Sequence, residues 1–438
     1  MQYTNFKHRN FMLSWRNLRK TGTNMILTYA VENFRGIGER QEIDFIATSK
    51  NEHSTNLYDI EDSNLRVNNG LCLIGPNGSG KSHVLQSLST LSNITLDSTK
   101  MKDVGPFILN SIWNEKPTVF EILLYDAADN EFLAYELHIL NKKVIKESLE
   151  VKQNKKSAKN KQIFTRIDNT VTLGNDVKVS AEMINATIDS GSTLLSYRNG
   201  INIPHLKVVG SLLAGVFYFT PDYVVNAGPS LIEHILYKTD DNKELDNDAL
   251  LEKNEVLAST SKLLRNYGIR IRKIELAKSE TNKVAIRFYP EVIGNDDLFY
   301  SFDEAGNFFS EGTFNTIVLV LVVALMSAYN HILLLDEVDG SIHHKLALEI
   351  IDYVRFKQNN MNSQFIISTH DIMLLDNKFR RDSIYTVIRG DNLESRLMRV
   401  SDFSVRKDSK LSCKYFANEF GALPNIMKAS KFFEESPK

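Results

Sequence analysis

Hydrophobic and polar positions alternate along one part of the chain and recur at helical spacing along another. Met25-Ile-Leu-Thr-Tyr-Ala-Val-Glu-Asn-Phe34 and Glu42-Ile-Asp-Phe-Ile46 alternate as strands do. The same pattern returns at Thr118–Tyr125, Glu131–Leu140 and Lys143–Val151. Leu71-Cys-Leu-Ile74 is apolar throughout, which suits a parallel strand buried on both faces. A glycine-rich turn follows it, and the spacing then predicts a helix from Lys81 to Ser92. From 178 to 267 helical spacing takes over, broken at Pro204, Pro221 and Pro229. No run there holds heptads long enough for an extended coiled coil.

Strands are expected again at Ile269–Ala277 and Lys283–Tyr289. A helix after Gly312, a strand at His331–Leu335 and a helix at Ile342–Lys357 follow, then strands at Gln364–Ser368 and Ser383–Ile388. This βαβ rhythm predicts an α/β fold with a parallel sheet and flanking helices. Gly312 to Leu335 carries no Asp, Glu, Lys or Arg and is almost long enough to cross a bilayer. Asn315, Asn330 and His331 interrupt it, so a buried helix followed by a buried strand is expected, with no membrane partner.

Composition narrows the class without naming a function. The 438 residues hold 52 Lys+Arg against 54 Asp+Glu and are 42% hydrophobic, an ordinary globular balance that excludes collagen-like and disordered classes. A net charge of −2 gives no global reason for a nucleic-acid coat. Two local basic stretches keep nucleic acid open as a partner. One holds Lys7, Arg9, Arg16, Arg19 and Lys20; the other holds Lys152, Lys155, Lys156, Lys159 and Lys161 and reads as an exposed loop. No apolar core follows the first, so a secretory signal is not expected. Cys72 and Cys413 are too few for a disulfide framework or a zinc site, and a cytoplasmic location is expected.

Chemistry concentrates at four places. Gly75-Pro76-Asn77-Gly78-Ser79-Gly80-Lys81-Ser82 fits the G-x-x-x-x-G-K-S/T phosphate loop between a buried strand and a helix. Its glycines let backbone N–H groups curl round a phosphate, and Lys81 would reach the outer phosphates of ATP. The Ser82 hydroxyl and Asp336 are the expected Mg²⁺ holders, Asp336 standing at the end of His331-Ile-Leu-Leu-Leu335. Glu337, next in the chain, is the expected general base on the attacking water. His370 in Ser368-Thr-His-Asp371 follows the next apolar strand and is expected to sense the γ-phosphate. Phe309-Ser310-Glu311-Gly312-Thr313 opens the long apolar helix; it reads equally as an anion site or as an N-cap.

Taken together, and in this order, these motifs resemble an ABC-type P-loop ATPase. The details are most similar to the RloA/AbiL-like stand-alone ATPases of bacterial phage defence. Glu32-Asn-Phe-Arg35, Gln41-Glu-Ile-Asp-Phe45, Pro117-Thr-Val-Phe-Glu-Ile122 and Phe420-Gly-Ala-Leu-Pro424 also carry the likeness. The resemblance implies an ABC-ATPase-like core with a helical insertion, with Arg35 among the nucleotide contacts. It implies a homodimer or higher homo-oligomer in which Ser310 and Gly312 of one subunit close on the nucleotide of the other. The signature reads Ser-Glu-Gly-Thr where transporters have Ser-Gly-Gly-Gln, and the only glutamine near the phosphate loop, Gln86, lies inside the following helix.

On this basis the chain divides into a basic N-terminal extension (1–24) and a first core half with an antiparallel β-subdomain and the phosphate loop (25–175). A helical insertion (176–267) and a second core half with signature, Walker B and histidine switch (268–438) complete it. The function expected is a nucleotide-switched regulator that hydrolyses ATP slowly and controls a separate effector, a nuclease or toxin. The alternative is an SMC/RecF-like DNA-repair ATPase that binds DNA.

Overall fold

Successive side chains of a strand face opposite ways, so a strand that is apolar at every position needs a core on each side. In the computed structural model, Leu71 and Leu73 pack into one core while Cys72 and Ile74 pack into a second. The structure describes residues 24–48, 56–155, 157–220, 228, 232, 236, 247–278, 284–327, 331–337, 344–358, 363–377, 379–403 and 410–423. The basic extension, the stretch 338–343 and Pro424 lie outside the described residues.

An antiparallel sheet of seven strands contains β1 (Met25–Glu32), β2 (Gln41–Asp44), β6 (Thr118–Asp126), β7 (Glu131–Leu140), β8 (Lys143–Gln153), β9 (Lys161–Ile167) and β10 (Thr170–Leu173). Their order is β10-β9-β8-β7-β6-β1-β2. The second sheet has six strands: β5 (Gly70–Ile74), β11 (Val216–Phe219), β14 (Ile332–Leu335), β15 (Gln364–Thr369), β16 (Ile384–Arg389) and β17 (Ser395–Arg399). It runs β11-β14-β15-β5-β16-β17, parallel except for the last pair. Two small antiparallel pairs, β3 (Leu57–Asp59) with β4 (Arg66–Asn68) and β12 (Ile271–Lys278) with β13 (Val284–Pro290), lie beside them. The expected α/β class holds.

Among the described residues the helices are α1 (Lys81–Leu96), α2 (Ala181–Thr187), α3 (Pro204–Ala214), α4 (Asn247–Asn266), α5 (Phe302–Phe308), α6 (Glu311–Ser327), α7 (His344–Gln358), α8 (Leu374–Asn377) and α9 (Leu411–Phe416). Helix α1 lies in the first core, where its Val84, Leu85, Leu88, Leu91 and Ile94 join residues of both large sheets. Helix α6 is buried at Ile317, Val318, Val320, Leu321, Val322, Val323, Ala324 and Leu325, as a helix apolar on all sides must be. No helix of the described residues is long and apolar enough to cross a membrane.

Two findings differ from the pattern reading. Residues 216–219, inside the stretch expected to be helical, form an edge strand of the parallel sheet beside β14. The run Val-Phe-Tyr-Phe has the β-branched and aromatic content of a strand, but four residues are too few for periodicity to decide. Part of the lysine-rich segment read as a loop also belongs to strands, since β8 extends to Gln153 and β9 starts at Lys161.

One buried polar side chain ties the two sheets together. Gln364, at the start of β15, accepts the Ile26 N–H at 2.7 Å and donates to the Ile26 carbonyl at 2.9 Å. It thereby completes the ladder where β1 carries its bulge between Ile26 and Thr28. Gln364→Leu should therefore strand two buried backbone groups and cost about 2–3 kcal/mol. Chemical denaturation measures this, and a variant as stable as the parent would refute the role.

Candidate functional site

Parallel strands that share a direction bring their carboxyl ends to one edge of a sheet, where open α/β proteins bind ligands. Here the phosphate loop follows β5, Asp336 and Glu337 follow β14, and His370 follows β15. The sequence elements expected to cooperate at the phosphate thus leave adjacent strands on the same side.

The loop is held in a conformation open to glycine. Gly78 has φ +74° and Gly80 has φ +103°, values that L side chains adopt at a cost. Gly80 then caps α1, whose first turn carries Ser82 and whose amide dipoles point back into the loop. Lys81 is buried, and its ammonium donates to the carbonyls of Gly75 at 2.9 Å and Pro76 at 3.1 Å. Those carbonyls keep a desolvated cation satisfied where an anion would otherwise do so. Ser79 Oγ is buried with no hydrogen-bond partner among the described residues. A cradle with left-handed glycines, a buried ammonium and an unsatisfied hydroxyl fits a polyphosphate.

Asp336 is buried and tightly coordinated by hydroxyls. Tyr218 donates to its Oδ2 at 2.7 Å, and Ser368 donates to its Oδ1. The Ser368 oxygen also accepts the Glu337 N–H at 2.8 Å, which fixes the peptide joining the two acids. Glu337 has φ +48°, a left-handed conformation rare for a glutamate and found where surroundings over-determine the backbone. Its exposed carboxylate stands 3.9 Å from His370 Nε2. Asp336 and the Ser82 hydroxyl supply hard oxygen donors of the kind Mg²⁺ takes, usually with several waters retained. The next acid, Asp371, contacts His344 at the start of α7, so the turn after β15 is pinned to that helix.

Arg35 lies on a turn that the Asn33 side chain builds. Asn33 Nδ2 donates to the carbonyls of Trp113 at 2.9 Å and Lys116 at 2.8 Å, and its Oδ1 accepts the Phe107 N–H at 2.9 Å. Phe34 is fully buried beneath the Arg35 guanidinium, 5.3 Å from its ring centre. Arg35 Nη1 donates to Gln86 Oε1. Burial first, then the Arg35 and Arg389 charges, lower the pKa of His83 on α1 and favour its neutral form. Burial, and after it the Asp336 carboxylate, raise the Tyr218 hydroxyl, so it remains a proton donor.

The contacts thus bring Lys81, Asp336, Glu337, His370 and Arg35 to one sheet edge. Ser310 and Gly312 are not joined to it. The Ser310 hydroxyl pairs with that of Thr313 at 2.8 Å and accepts the Thr313 N–H, an N-cap on α6. The Gly312 carbonyl accepts the Thr316 hydroxyl at 2.8 Å. Both residues are exposed, and among the described residues none of their contacts reaches the phosphate loop. Tyr218 and Gln86 are site residues the pattern reading missed. Nothing in the spacing links positions 86, 218 and 336, although the strand-forming run around Tyr218 was a usable signal.

Residues 71–376 match the model of the AAA_21 family, described as "AAA domain, putative AbiEii toxin, Type IV TA system". The chain belongs to this family. No curated protein matches it. Among solved structures, the SMC head bound to the C-terminal winged-helix domain of ScpA is similar at 13% identity, with 85% of this chain and 96% of that chain covered and a TM-score of 0.44. The SMC head domain from Thermotoga maritima gives 14% identity, 85% and 98% coverage and a TM-score of 0.39. CbiO1 from Clostridium perfringens, part of the ABC transporter complex cbiONQ, gives 12%, 90% and 96% coverage, and 0.31. The description of this AAA_21 chain as a P-loop ATPase therefore rests on its family match, its phosphate loop and its strand order.

The crowding around the loop is testable. A Cβ at Gly80 would collide with Ser395 Oγ, whereas one at Gly78 would meet nothing. Gly78→Ala should cost only the backbone strain, about 1 kcal/mol, while Gly80→Ala should weaken nucleotide binding at least about tenfold more. Calorimetric titration with ATP measures both. Equal effects would show that Ser395 does not constrain the loop.

Proposed function

We propose that this AAA_21 ATPase binds Mg·ATP, hydrolyses it slowly and uses the cycle to switch a separate effector, in the manner of RloA/AbiL-like phage-defence systems. The observation that carries the reading is the convergence at one sheet edge of a buried lysine in a glycine loop, a hydroxyl-held aspartate and an exposed glutamate beside a histidine. In this reading Lys81 and the amides of the loop bind the β- and γ-phosphates. Asp336 and Ser82 hold Mg²⁺, which supplies charge neutralisation across the phosphate oxygens. Glu337 takes a proton from the attacking water, the water oxygen bonds to the γ-phosphorus, and ADP leaves with the broken bond's electron pair. His370 faces the same phosphate and holds Glu337 in place.

The exposed Ser310–Gly312 end supports closure of two copies head to tail. Among the described residues its hydroxyl and amides have no contact with their own phosphate loop, so a second subunit is the natural recipient. ATP would then favour the closed pair, because only that pair adds donors to the γ-phosphate. The family description, "putative AbiEii toxin, Type IV TA system", supports a place in a toxin–antitoxin system. A DNA-repair role shares the same ATPase apparatus and is separated from this one by experiment.

Lys81→Ala should weaken ATP binding by about 100-fold, the worth of a charge-assisted bond in a dry site. Glu337→Gln should bind normally and turn over at least about 100-fold more slowly. With ATP, that trapped variant should also sediment as a pair. Full turnover by Lys81→Ala would remove the site from consideration.

A second experiment tests the output. Co-expression with the product of the adjacent gene should give a complex whose recovery depends on nucleotide, and protection against phage that requires both chains. Protection by this chain alone, with no partner recovered in either state, would reject the effector reading. Duplex-DNA affinity that falls steeply with salt would favour the repair role instead.

A further inference from the structure

Asp336 is central to the ATPase reading, and of the two hydroxyls that hold it Ser368 belongs to a recognised motif while Tyr218 does not. Tyr218 on β11 gives its only proton to Asp336 Oδ2 at 2.7 Å. The Tyr218 oxygen accepts Gln86 Nε2 at 3.2 Å, and Gln86 Oε1 accepts Arg35 Nη1. The direction of this series is fixed at both ends. A guanidinium can only donate and an ionised carboxylate can only accept, so Gln86 must turn its oxygen to Arg35 and its amide to Tyr218. Tyr218 must then point its proton at Asp336. Flipping any one member would face donor with donor or acceptor with acceptor.

Four residues from separate segments of the chain therefore act as one unit between the turn at Asn33–Gly38 and the end of β14. We propose that Tyr218 and Gln86 are positioning residues that aim Asp336 at Mg²⁺ and couple metal binding there to the seating of Arg35. The inference rests on the ATPase reading of the site. The Asp336 carboxylate, shared with a bound Mg²⁺, would be a weaker acceptor for the Tyr218 proton. Through Gln86 the change reaches Arg35, whose turn is held by the Asn33 clamp on Phe107 and Trp113 and by the buried Phe34 against Phe120 of β6.

The test is anisotropy of a fluorescent ATP analogue, titrated with Mg²⁺ present and with EDTA. In the parent protein Mg²⁺ should tighten binding. Tyr218→Phe keeps the ring and removes the proton, and should reduce that tightening by about threefold to tenfold. Its metal-free affinity should stay within about twofold, because Lys81 and the loop are untouched. Gln86→Met keeps the length and removes the amide; it should act in the same direction, and the double variant should be no worse than Tyr218→Phe. An unchanged Mg²⁺ response in a folded Tyr218→Phe protein would overturn the proposal, as would equal losses with and without metal. Should Tyr218→Phe fail to fold, Gln86→Met decides alone, a reduced Mg²⁺ response supporting the proposal and an unchanged one overturning it. Failure of the parent protein to bind the analogue at all would instead overturn the ATPase reading.

Discussion

The rest of this molecule depends on how little room surrounds the phosphate loop. A side chain on Gly75 would strike the Val387 carbonyl, and one on Gly80 would strike Ser395. Both neighbours belong to the β16–β17 hairpin, more than 300 residues further along the chain. That hairpin is held in turn by the segment bearing Arg35, since Ser395 N–H donates to the Gly36 carbonyl at 2.8 Å. The buried Glu394 carboxylate accepts the Glu39 N–H at 3.1 Å and the Trp113 indole N–H at 3.0 Å. Three remote segments are thus clamped into one cluster around a loop that must hold its amides still.

That clamp holds the turn after β1 against the parallel sheet, although β1 and β5 serve different sheets. The antiparallel sheet supplies the turn bearing Arg35, and the parallel sheet supplies the acids. Helix α1 between them touches both, through Tyr29 to Ser87 at 2.9 Å on one side and Gln86 to Tyr218 on the other. A shift of either sheet would be felt at the helix that starts in the phosphate loop. Glu147 and Arg166 stiffen the far end of the antiparallel sheet. Both are fully buried, and their remaining hydrogen bonds go to backbone groups between 168 and 195 and to Tyr135. The two charges stand 3.6 Å apart, and removing either would leave the other buried without its counter-charge.

The polar residues that converge at the sheet edge were legible where local spacing marks them. A glycine loop between a buried strand and a helix, or two acids after four apolar residues, can be read because each motif lies within a few positions. Most strands were legible too, since alternation over seven or more residues is a strong signal. What escaped reading is non-local. Four residues at Val216–Phe219 gave periodicity too little length, and that short strand placed Tyr218 on Asp336. Gln86 had no visible role because its partners lie 51 and 132 positions away. Gln364 opens an apolar strand, and nothing in the strand's own pattern gives its side chain a use. It is a clip whose use depends on a bulge in another sheet.

The same reasoning bears on the exposed signature end. Helix α6 begins at an exposed Ser-Glu-Gly and is then buried on every side from Ile317 to Leu325. Among the described residues, Asn247–Asn266 also carries exposed polar residues, Glu252, Glu255, Lys262 and Arg265, but along its length and not at one end. In α6 they sit on the tip of an element rooted in the second core, against α4 and α7. The Ser310 cap and the Thr316 bond to the Gly312 carbonyl stiffen the first turn itself. A surface held this firmly loses little conformational freedom when something docks on it, and low ordering cost turns a few hydrogen bonds into useful affinity. The burial of α6 therefore holds its exposed first turn as firmly as the serine cap at its tip does.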